Sequence, residues 1–217
     1  SIFTTQIINN KFITMGANAK VAFCSLLTGK WTPCNAIGGN LVNNATTIFL
    51  GNIYTSLVYN DDILIIAGEA GRVASYSFSK DKWCAYDDKD AALSGMINNI
   101  GLATDGYAIR TMKIIKVNDY DILVCAGDHG VVASCFLSDN AWTKFNGESQ
   151  KISPQGPGIA SDGTNRLNKN INKIVKYGNN LIFAGEAGHV SMYDYENKVS
   201  VSYTHLRAHE TRGNLVC

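Results

Sequence analysis

One segment occurs four times along the chain, and this repeat constrains the fold more than any other feature of the sequence. Each repeat contains an apolar run, a short turn that begins with glycine, and a second apolar run. The turns begin at Gly16, Gly68, Gly127 and Gly185. These glycines lie 52, 59 and 58 residues apart, and in three repeats a tryptophan follows 15 residues later, at Trp31, Trp83 and Trp142. Self-similarity at a fixed period indicates units that pack against their neighbours.

Each repeat contains four candidate β-strands. In the second repeat they are Ile53–Tyr59, Ile63–Gly68, residues 73–78 and residues 83–86, and the first strands of the third and fourth repeats are expected at residues 112–117 and 171–177. These segments are rich in β-branched and aromatic residues and are bounded by Gly, Asn, Asp and Ser. Their apolar runs are continuous rather than alternating, which is typical of sheets covered on both faces. Four strands in each repeat, without helical segments, predict an all-β fold, a β-propeller with about four blades present.

Other β architectures fit this period less well. A β-solenoid would have a shorter period, and stacked sandwich domains would need about 100 residues per unit. We therefore expect residues 1–200 to form propeller blades and to be a fragment of a larger propeller. The blades are expected at about residues 1–35, 53–87, 112–146 and 171–200. The connections between them are long, and loops of this size are often functional.

The turn between the second and third strands has the form Gly-x-x-Gly in most repeats, as at Gly68 and Gly71. Glycine is needed where φ is positive or where another backbone segment approaches closely. Phosphate binding is the alternative, but phosphate-binding loops lead into a helix and no helix follows here. The glycines are therefore predicted to be structural.

The residues after Ser200 differ in composition from the rest of the chain. Residues 201–217 hold two of the four histidines and two of the five arginines, and Ser200 stands where the fourth tryptophan is expected. The string VSYTHLRAHET (residues 201–211) resembles a translated sequencing adapter, residue by residue. We therefore expect residues 201–217 to be an artefactual tail, which can still pair as a strand because a bare sheet edge invites pairing.

The repeat resembles a known class of propeller repeat. IIAGEAGRVASYS (residues 65–77), followed by SKDKW (79–83), resembles the Asp-box repeats of bacterial neuraminidases. It is also similar to the repeats of photosystem assembly factors, and its terminal tryptophan makes it WD-like. The resemblance extends from Ile2 to about Ser200, although SKDKW and SDNAW (138–142) lack the glycine that closes an Asp-box turn. It implies a propeller fold.

A neuraminidase-like enzyme would also need three arginines that bind a carboxylate, a Tyr/Glu pair and an acidic proton donor. Before the tail, the only arginines are Arg72, Arg110 and Arg166. Arg72 follows a turn, and the other two are predicted to lie in connections, because the first strand of the third repeat is predicted at residues 112–117. We therefore expect no catalytic residues. The alternative is a fragment of a sialidase-like glycan hydrolase whose catalytic residues lie partly outside this chain.

Five acidic residues form the candidate ligand-binding set. In a propeller, the turns between the second and third strands emerge on the same face as the connections between blades. This would place Glu69, Asp128 and Glu186 near Asp105 and Asp162. Such a ring could bind a cation or a basic partner, whereas the alternative is that acids serve simply as turn residues. The preferred function is a non-catalytic binding or assembly scaffold that presents loops to a protein or glycan partner.

Charge and cysteine content exclude several other classes. The net charge of +1 provides no electrostatic footprint for nucleic acid, and no apolar run approaches the length of a membrane span. The six cysteines form no Cys-x-x-Cys pair, so we expect no metal and no cofactor. Cys24 and Cys135 stand where other repeats have Tyr76 and Tyr193. The three repeat tryptophans are predicted to pack between blades, and His129 and His189 to lie at the rim.

Overall fold

The computed structural model describes residues 1–33, 36–37, 40–43, 46–49, 51–85, 107–130, 132–137, 141–144, 169–188, 190–197 and 199–203. Four antiparallel sheets of four strands follow one another along the chain, and each is termed a blade. Blade 1 contains β1 (Ile2–Ile8), β2 (Lys11–Gly16), β3 (Val21–Ser25) and β4 (Trp31–Pro33). Blade 2 contains β8 (Ile53–Tyr59), β9 (Ile63–Gly68), β10 (Val73–Ser77) and β11 (Lys82–Ala85).

The two remaining blades repeat the same pattern. Blade 3 contains β12 (Ile109–Val117), β13 (Tyr120–Gly127), β14 (Val132–Phe136) and β15 (Ala141–Lys144). Blade 4 contains β16 (Ile171–Tyr177), β17 (Asn180–Gly185), β18 (Val190–Asp194) and β19 (Val199–Tyr203). The strands of each blade are paired in chain order, and the first strands β1, β8, β12 and β16 are neighbours in that order. These inner strands lie on the side of the blades that faces the propeller axis. The predicted propeller arrangement is confirmed.

The strand bounds of blade 2 agree with the sequence predictions to within one residue, and one strand of blade 3 needs a larger correction. β8, β9 and β16 begin and end at the predicted residues. β12 begins at Ile109 rather than at residue 112, because its pairing with β13 continues past a bulge to Ile109 opposite Gly127. Arg110 therefore belongs to an inner strand, and its predicted place in a connection is wrong.

A small three-stranded sheet between blades 1 and 2 was not predicted. It contains β5 (Ala36–Ile37), β6 (Asn40–Asn43) and β7 (Thr46–Phe49). It contacts the outer strands of blade 2, and Phe49 is fully buried in the same core as Trp83. Part of this long connection is therefore structural.

Each blade has two apolar faces. We name the face toward the preceding blade the leading face and the face toward the following blade the trailing face. In β9, Leu64 and Ile66 pack against blade 1, whereas Ile65 and Ala67 pack against blade 3. All four residues are fully buried, because consecutive side chains enter different cores. This explains why the strand is continuously apolar, as predicted.

Three cores of this kind join the blades in series. Between blades 1 and 2, Ile13 and Met15 pack against the leading face of blade 2, and between blades 3 and 4 Val124 packs with Phe183 and Tyr193. The core between blades 2 and 3 includes Ile65, Ala67, Val73, Met112, Leu123, Cys125 and Cys135. In every case a trailing face meets a leading face. Cys125 and Cys135 are both fully buried, and burial raises the pKa of Cys125.

The first glycine of each turn has no room for a side chain. A Cβ atom would lie only 1.8 to 2.3 Å from the carbonyl oxygen of the residue that precedes the inner strand of the same blade. At Gly68 that oxygen belongs to Asn52, and at Gly127 to Ala108. In blade 2 the second glycine, Gly71, has a φ of +68°. Both predicted reasons for glycine, close approach and positive φ, are therefore confirmed.

The prediction that the repeat tryptophans pack between blades is confirmed for Trp83 and wrong for Trp31. Trp83 is 1% exposed, whereas Trp31 is 50% exposed and has an edge contact with Phe12. The reason is that no described residue covers the leading face of blade 1. The side chain of Trp142 lies outside the described residues.

Strand pairing supports the alignment of the repeats. Trp31, Trp83 and Trp142 pair with Cys24, Tyr76 and Cys135. In blade 4 the same position is occupied by Ser200, which pairs with Tyr193. β19 continues to Tyr203, so strand pairing extends across the predicted start of the tail. Among the described residues, no helix is both long and apolar enough to cross a membrane.

Replacing the close-approach glycine should disrupt a blade. In the Gly127→Ala variant, a Cβ atom would lie 1.8 Å from the Ala108 oxygen, so we expect a loss of about 4 kcal/mol or more in the free energy of unfolding. Gly188→Ala is the control, because its φ is +71° but no atom lies within 4 Å of the added Cβ. That change should cost only about 1 kcal/mol. Denaturant unfolding measures both, and equal losses would contradict the close-approach argument.

A tyrosine links blades 2 and 3 near the hairpins that join the first and second strands of these blades. The Tyr59 hydroxyl donates to Asp121 Oδ2 over 2.9 Å, so Tyr59→Phe should reduce the free energy of unfolding by about 1 kcal/mol. Burial, followed by the hydrogen bond to Asp121, raises the pKa of Tyr59 above 10.0. The stabilisation should therefore be complete below pH 10 and disappear as the pH rises through the folded-state pKa. Tyr120→Phe, at a half-exposed ring, should change stability little.

Candidate recognition surface at the axial end of the blades

The three predicted acids that the structure describes occupy one equivalent position. Glu69, Asp128 and Glu186 are each the first residue of the turn after the second strand of their blade. These turns lie beside the start of the inner strand, so they share one end of the molecule with the connections between blades, as predicted. We call this end the axial end. Asp105 and Asp162 lie outside the described residues.

Each of these carboxylates binds a residue immediately before the inner strand of its own blade. Glu69 Oε2 accepts the Asn52 backbone N–H over 2.8 Å, and Asp128 Oδ2 accepts that of Ala108 over 3.1 Å. In blade 4, Asn170 Nδ2 donates to Glu186 Oε1 over 2.8 Å. The acids therefore hold the turn against the entry of the inner strand. Within the described ranges, no three His, Cys, Asp or Glu side chains are grouped as a metal site.

Two asparagines connect neighbouring blades at this end. Asn52 Oδ1 accepts the backbone N–H of Asn18, in the turn of blade 1, over 3.1 Å. Asn170 Oδ1 accepts that of His129, in the turn of blade 3, also over 3.1 Å. Both donors are turn residues with positive φ. The sequence analysis missed this role, although an asparagine directly before Ile53 and before Ile171 was a readable signal.

The second residue of each inner strand lies in a β-bulge. The pairing register shifts after Ile2, Ile53, Ile109 and Ile171, each of which lies opposite the close-approach glycine of its blade. The residues in the bulges are Phe3, Tyr54, Arg110 and Asn172. Bulges redirect a side chain relative to the regular pleat. We call these four residues the bulge quartet.

The bulge quartet lines a polar groove of about 610 Å³ that is formed by all four inner strands. The other lining residues are Ile2, Thr4, Thr5, Gln6, Thr55, Ser56, Thr111 and Lys173. Side-chain hydrogen bonds join the inner strands β1 and β8 at the groove. Gln6 Nε2 donates to the backbone carbonyl oxygen of Ser56 over 2.8 Å, and Thr4 Oγ1 lies 2.8 Å from Ser56 Oγ. Side chains therefore join the inner strands of blades 1 and 2 at the groove.

Aromatic and basic groups occupy opposite parts of this groove. The rings of Phe3 and Tyr54 lie 5.5 Å apart, on blades 1 and 2. On blade 3, Arg110 Nε donates to Asp128 Oδ1 over 2.5 Å in a partly exposed ion pair. A guanidinium has five N–H donors, so this bond leaves others for a ligand. Lys173 on blade 4 is exposed.

One predicted rim residue lies in the turn of blade 3, at the axial end. His129 is exposed, as predicted, and its ring lies 4.4 Å from that of Tyr107 with a tilted geometry. Its backbone N–H donates to Asn170 Oδ1, as described above. His189 lies outside the described residues.

Comparison with known proteins supports the fold. No family model matches the chain, and no curated protein matches it. Similar solved structures are the extracellular domain of the one-component system BT4673 from B. thetaiotaomicron, with a TM-score of 0.61 at 11% identity, the WD40 repeats of RRP9, with 0.54 at 8%, and the Dos1 propeller, with 0.56 at 14%. The alignments cover 94% of this chain but 22%, 51% and 47% of those chains. The fold is a β-propeller, and the chain spans about half or less of these structures.

Removing one inter-blade asparagine should weaken the molecule measurably. Asn170→Ala eliminates the bonds to His129 N–H and to Glu186, so we expect a loss of about 1 to 2 kcal/mol in the free energy of unfolding. Asn172→Ala removes the same side chain two residues later, from the exposed groove, and should change stability by less than about 0.5 kcal/mol. Equal values for the two variants in chemical denaturation would show that the inter-blade bond contributes nothing.

Proposed function

We propose that this chain is a non-catalytic binding scaffold that recognises a protein partner through the axial groove. One observation carries the proposal. The frame of the bulge is the same in all four blades, with an isoleucine before it and a glycine opposite, while the residue in the bulge differs every time. Repeat proteins create recognition surfaces by placing varied side chains on a repeated rigid frame. Different side chains at the bulge position, between an isoleucine and a glycine that recur in every blade, are what such a surface requires.

The composition of the groove suggests the chemistry of the partner. Aromatic residues and arginine are the side chains most enriched at the energetic centres of protein interfaces. The Phe3–Tyr54 pair offers an aromatic surface, and Arg110 and Lys173 offer positive charge on the other side of the groove. A segment with an apolar side chain beside a carboxylate would complement both parts. A glycan partner could stack on the same aromatic pair, so the experiment below includes glycans.

The predicted acidic ring is a second, weaker part of this proposal. Glu69 and Glu186 are both exposed at the same end of the molecule and could contact a basic group of the partner. Their internal bonds to Asn52 and Asn170 explain their presence without a ligand. We therefore assign the main contacts to the bulge quartet rather than to the acids.

The proposed likeness to Asp-box repeats is supported by polar contacts in one blade. Asp62 accepts bonds from both Ser77 and Ser79, which lie in and after β10. These bonds, that of Ser77 first, hold the pKa of Asp62 below its ordinary value. The Tyr76 hydroxyl bonds to Asp81 in the SKDKW turn. The aspartate of this turn thus has a structural partner, as expected for a repeat motif that shapes a turn.

The alternative, a fragment of a glycan hydrolase, has one supporting residue. Of the three arginines considered, Arg110 lies on an inner strand and lines the groove, whereas Arg72 directly follows a turn. Arg166 lies outside the described residues. One inward arginine that is already paired with Asp128 does not make a carboxylate-binding triad, so the binding scaffold remains our proposal.

An array of peptides and glycans would test this function. The wild-type chain should bind a subset of acidic peptides, and the Tyr54→Ala/Arg110→Ala variant should lose at least about tenfold in affinity, as expected when two interface anchors are truncated. The matched control is Tyr120→Ala/Lys116→Ala, which removes one tyrosine and one basic side chain from the other end of blade 3 and should bind normally. Binding that is equal in all three proteins would overturn the proposed site. Binding to glycans alone would overturn the protein partner.

A further inference from the structure

Two lysines occupy positions where the other blade junctions have uncharged side chains. In the junction between blades 2 and 3, Leu57 on β8 and Ile114 on β12 pack against the same apolar core. The strand register, counted back from the close-approach glycine of each blade, gives their equivalents in the junction between blades 3 and 4. These equivalents are Lys113 on β12 and Lys176 on β16. A pair of apolar residues in one junction is therefore a pair of cations in the next.

The junction between blades 1 and 2 is also uncharged at this point. The equivalent residues are Gln6 on β1 and Val58 on β8. Val58 packs against the core between these blades, and Gln6 Nε2 donates to the backbone carbonyl oxygen of Ser56 over 2.8 Å. An apolar contact or a hydrogen bond therefore closes the first two junctions where the third has two lysines.

Neither lysine is neutralised by a described residue. Lys113 and Lys176 are both exposed, and among the described residues neither has an ion-pair partner. Lys176 Nζ lies 6.0 Å from the centre of the Tyr195 ring, a contact that leaves N–H donors of the ammonium group for a ligand. Like charges at neighbouring positions repel each other, so the pair is unfavourable unless an anion lies between its members.

The lysine pair continues the basic side of the axial groove. Lys113 follows Arg110 by three residues on β12, which is about 10 Å along a strand, and Lys176 follows Lys173 by three residues on β16. These two strands contain five basic residues and no acidic residue, whereas β1 and β8 contain no charged residue. Positive charge is therefore concentrated on the inner strands of blades 3 and 4, in a chain whose net charge is only +1.

We propose that Lys113 and Lys176 form a second carboxylate-binding subsite, which we call the lysine subsite. It takes a further carboxylate of the same partner segment whose first carboxylate contacts Arg110, so this inference rests on the proposed function. Each ammonium group has three donors, and one carboxylate can accept from both. Alternate side chains of an extended segment point to the same side. The partner is therefore an extended peptide with carboxylates at alternate positions, rather than a segment with a single acidic residue.

Thermal unfolding of the full chain tests the repulsion without a ligand. Lys113→Leu introduces the residue found at the equivalent position of blade 2 and removes the like-charge pair. Between about 10 and about 200 mM NaCl, the Tm of the wild-type chain should rise by about 1 to 2 °C more than that of the variant, because salt screens the repulsion. Lys80→Leu, at an exposed lysine of blade 2, is the control and should follow the wild type. The same salt dependence in all three proteins would show that the lysines do not repel each other and would overturn the proposal.

Two fluorescein-labelled octapeptides with blocked ends test the subsite itself. Both consist of serine and asparagine with one leucine, followed in the first by one aspartate and in the second by three aspartates at alternate positions. At low salt, fluorescence anisotropy should show that the full chain binds the three-carboxylate peptide about fivefold more tightly than the one-carboxylate peptide. In Lys113→Gln/Lys176→Gln this gain should fall below about twofold, whereas Lys113→Arg/Lys176→Arg should retain it. Both positions are exposed, so far-UV circular dichroism should be unchanged.

Lys80→Gln/Lys82→Gln is the matched control, because it removes two exposed lysines in and before β11, the outer strand of blade 2, and should keep the full gain. The lysine subsite is overturned by a gain that is absent in the wild type, lost equally in this control, or kept in Lys113→Gln/Lys176→Gln. A failure of the proposed function is distinguishable, since Arg110→Ala would then leave binding of the one-carboxylate peptide unchanged. If the wild type binds neither peptide, both proposals are wrong. Tighter binding of a labelled oligothymidylate of eight nucleotides than of the three-carboxylate peptide would overturn the assignment of a peptide ligand.

Discussion

The close approach of a carbonyl oxygen to a turn glycine is the contact on which the rest of the structure depends. In each blade the oxygen of the residue before the inner strand lies where a Cβ atom would be. The next residue of the turn donates its backbone N–H to the same oxygen, over 2.9 Å from Glu69 to Asn52 and 3.0 Å from Asp128 to Ala108. The turn and the start of the inner strand are thereby joined. The bulge follows from this join, and it brings the second residue of the strand to the axial groove.

The same contact couples one blade to the next. Because the residue before the inner strand is held against its own turn, its side chain is placed to meet the turn of the preceding blade. Asn52 and Asn170 use this position to accept a backbone N–H across the junction. Ala108 has no side-chain acceptor for such a bond. Blades 2 and 3 are instead connected by the hydrogen bond from Tyr59 to Asp121, at the end of the blades opposite the turns. Apolar cores supply most of the cohesion, and these polar bonds set the register between blades.

Much of this fold was predictable from the sequence because the repeat aligns unknown segments with one another. The glycine and tryptophan spacing identified the strands, and β8, β9 and β16 were predicted to the residue. The bulge was not predictable from periodicity, since one extra residue interrupts the pairing register of the inner strand. For this reason the start of β12 was missed and Arg110 was placed in a connection. The exposure of Trp31 was missed for a different reason. A repeat pattern assigns the same environment to every copy, whereas burial depends on whether a neighbouring blade is present.

The acids and the bulge quartet show how a repeat should be used to infer a site. The acids attracted attention because they recur, but a group that recurs at one register position is first explained by the frame that recurs with it, as the bonds of Glu69 and Asp128 show. A recognition surface must distinguish its partner from other molecules, and carboxylates at three equivalent positions offer little to distinguish with. The bulge residues Phe3, Tyr54, Arg110 and Asn172 differ, although the same isoleucine precedes each of them and the same glycine lies opposite that isoleucine. Variation within a constant register is therefore the reason why our proposal places recognition at the bulge quartet rather than at the acids.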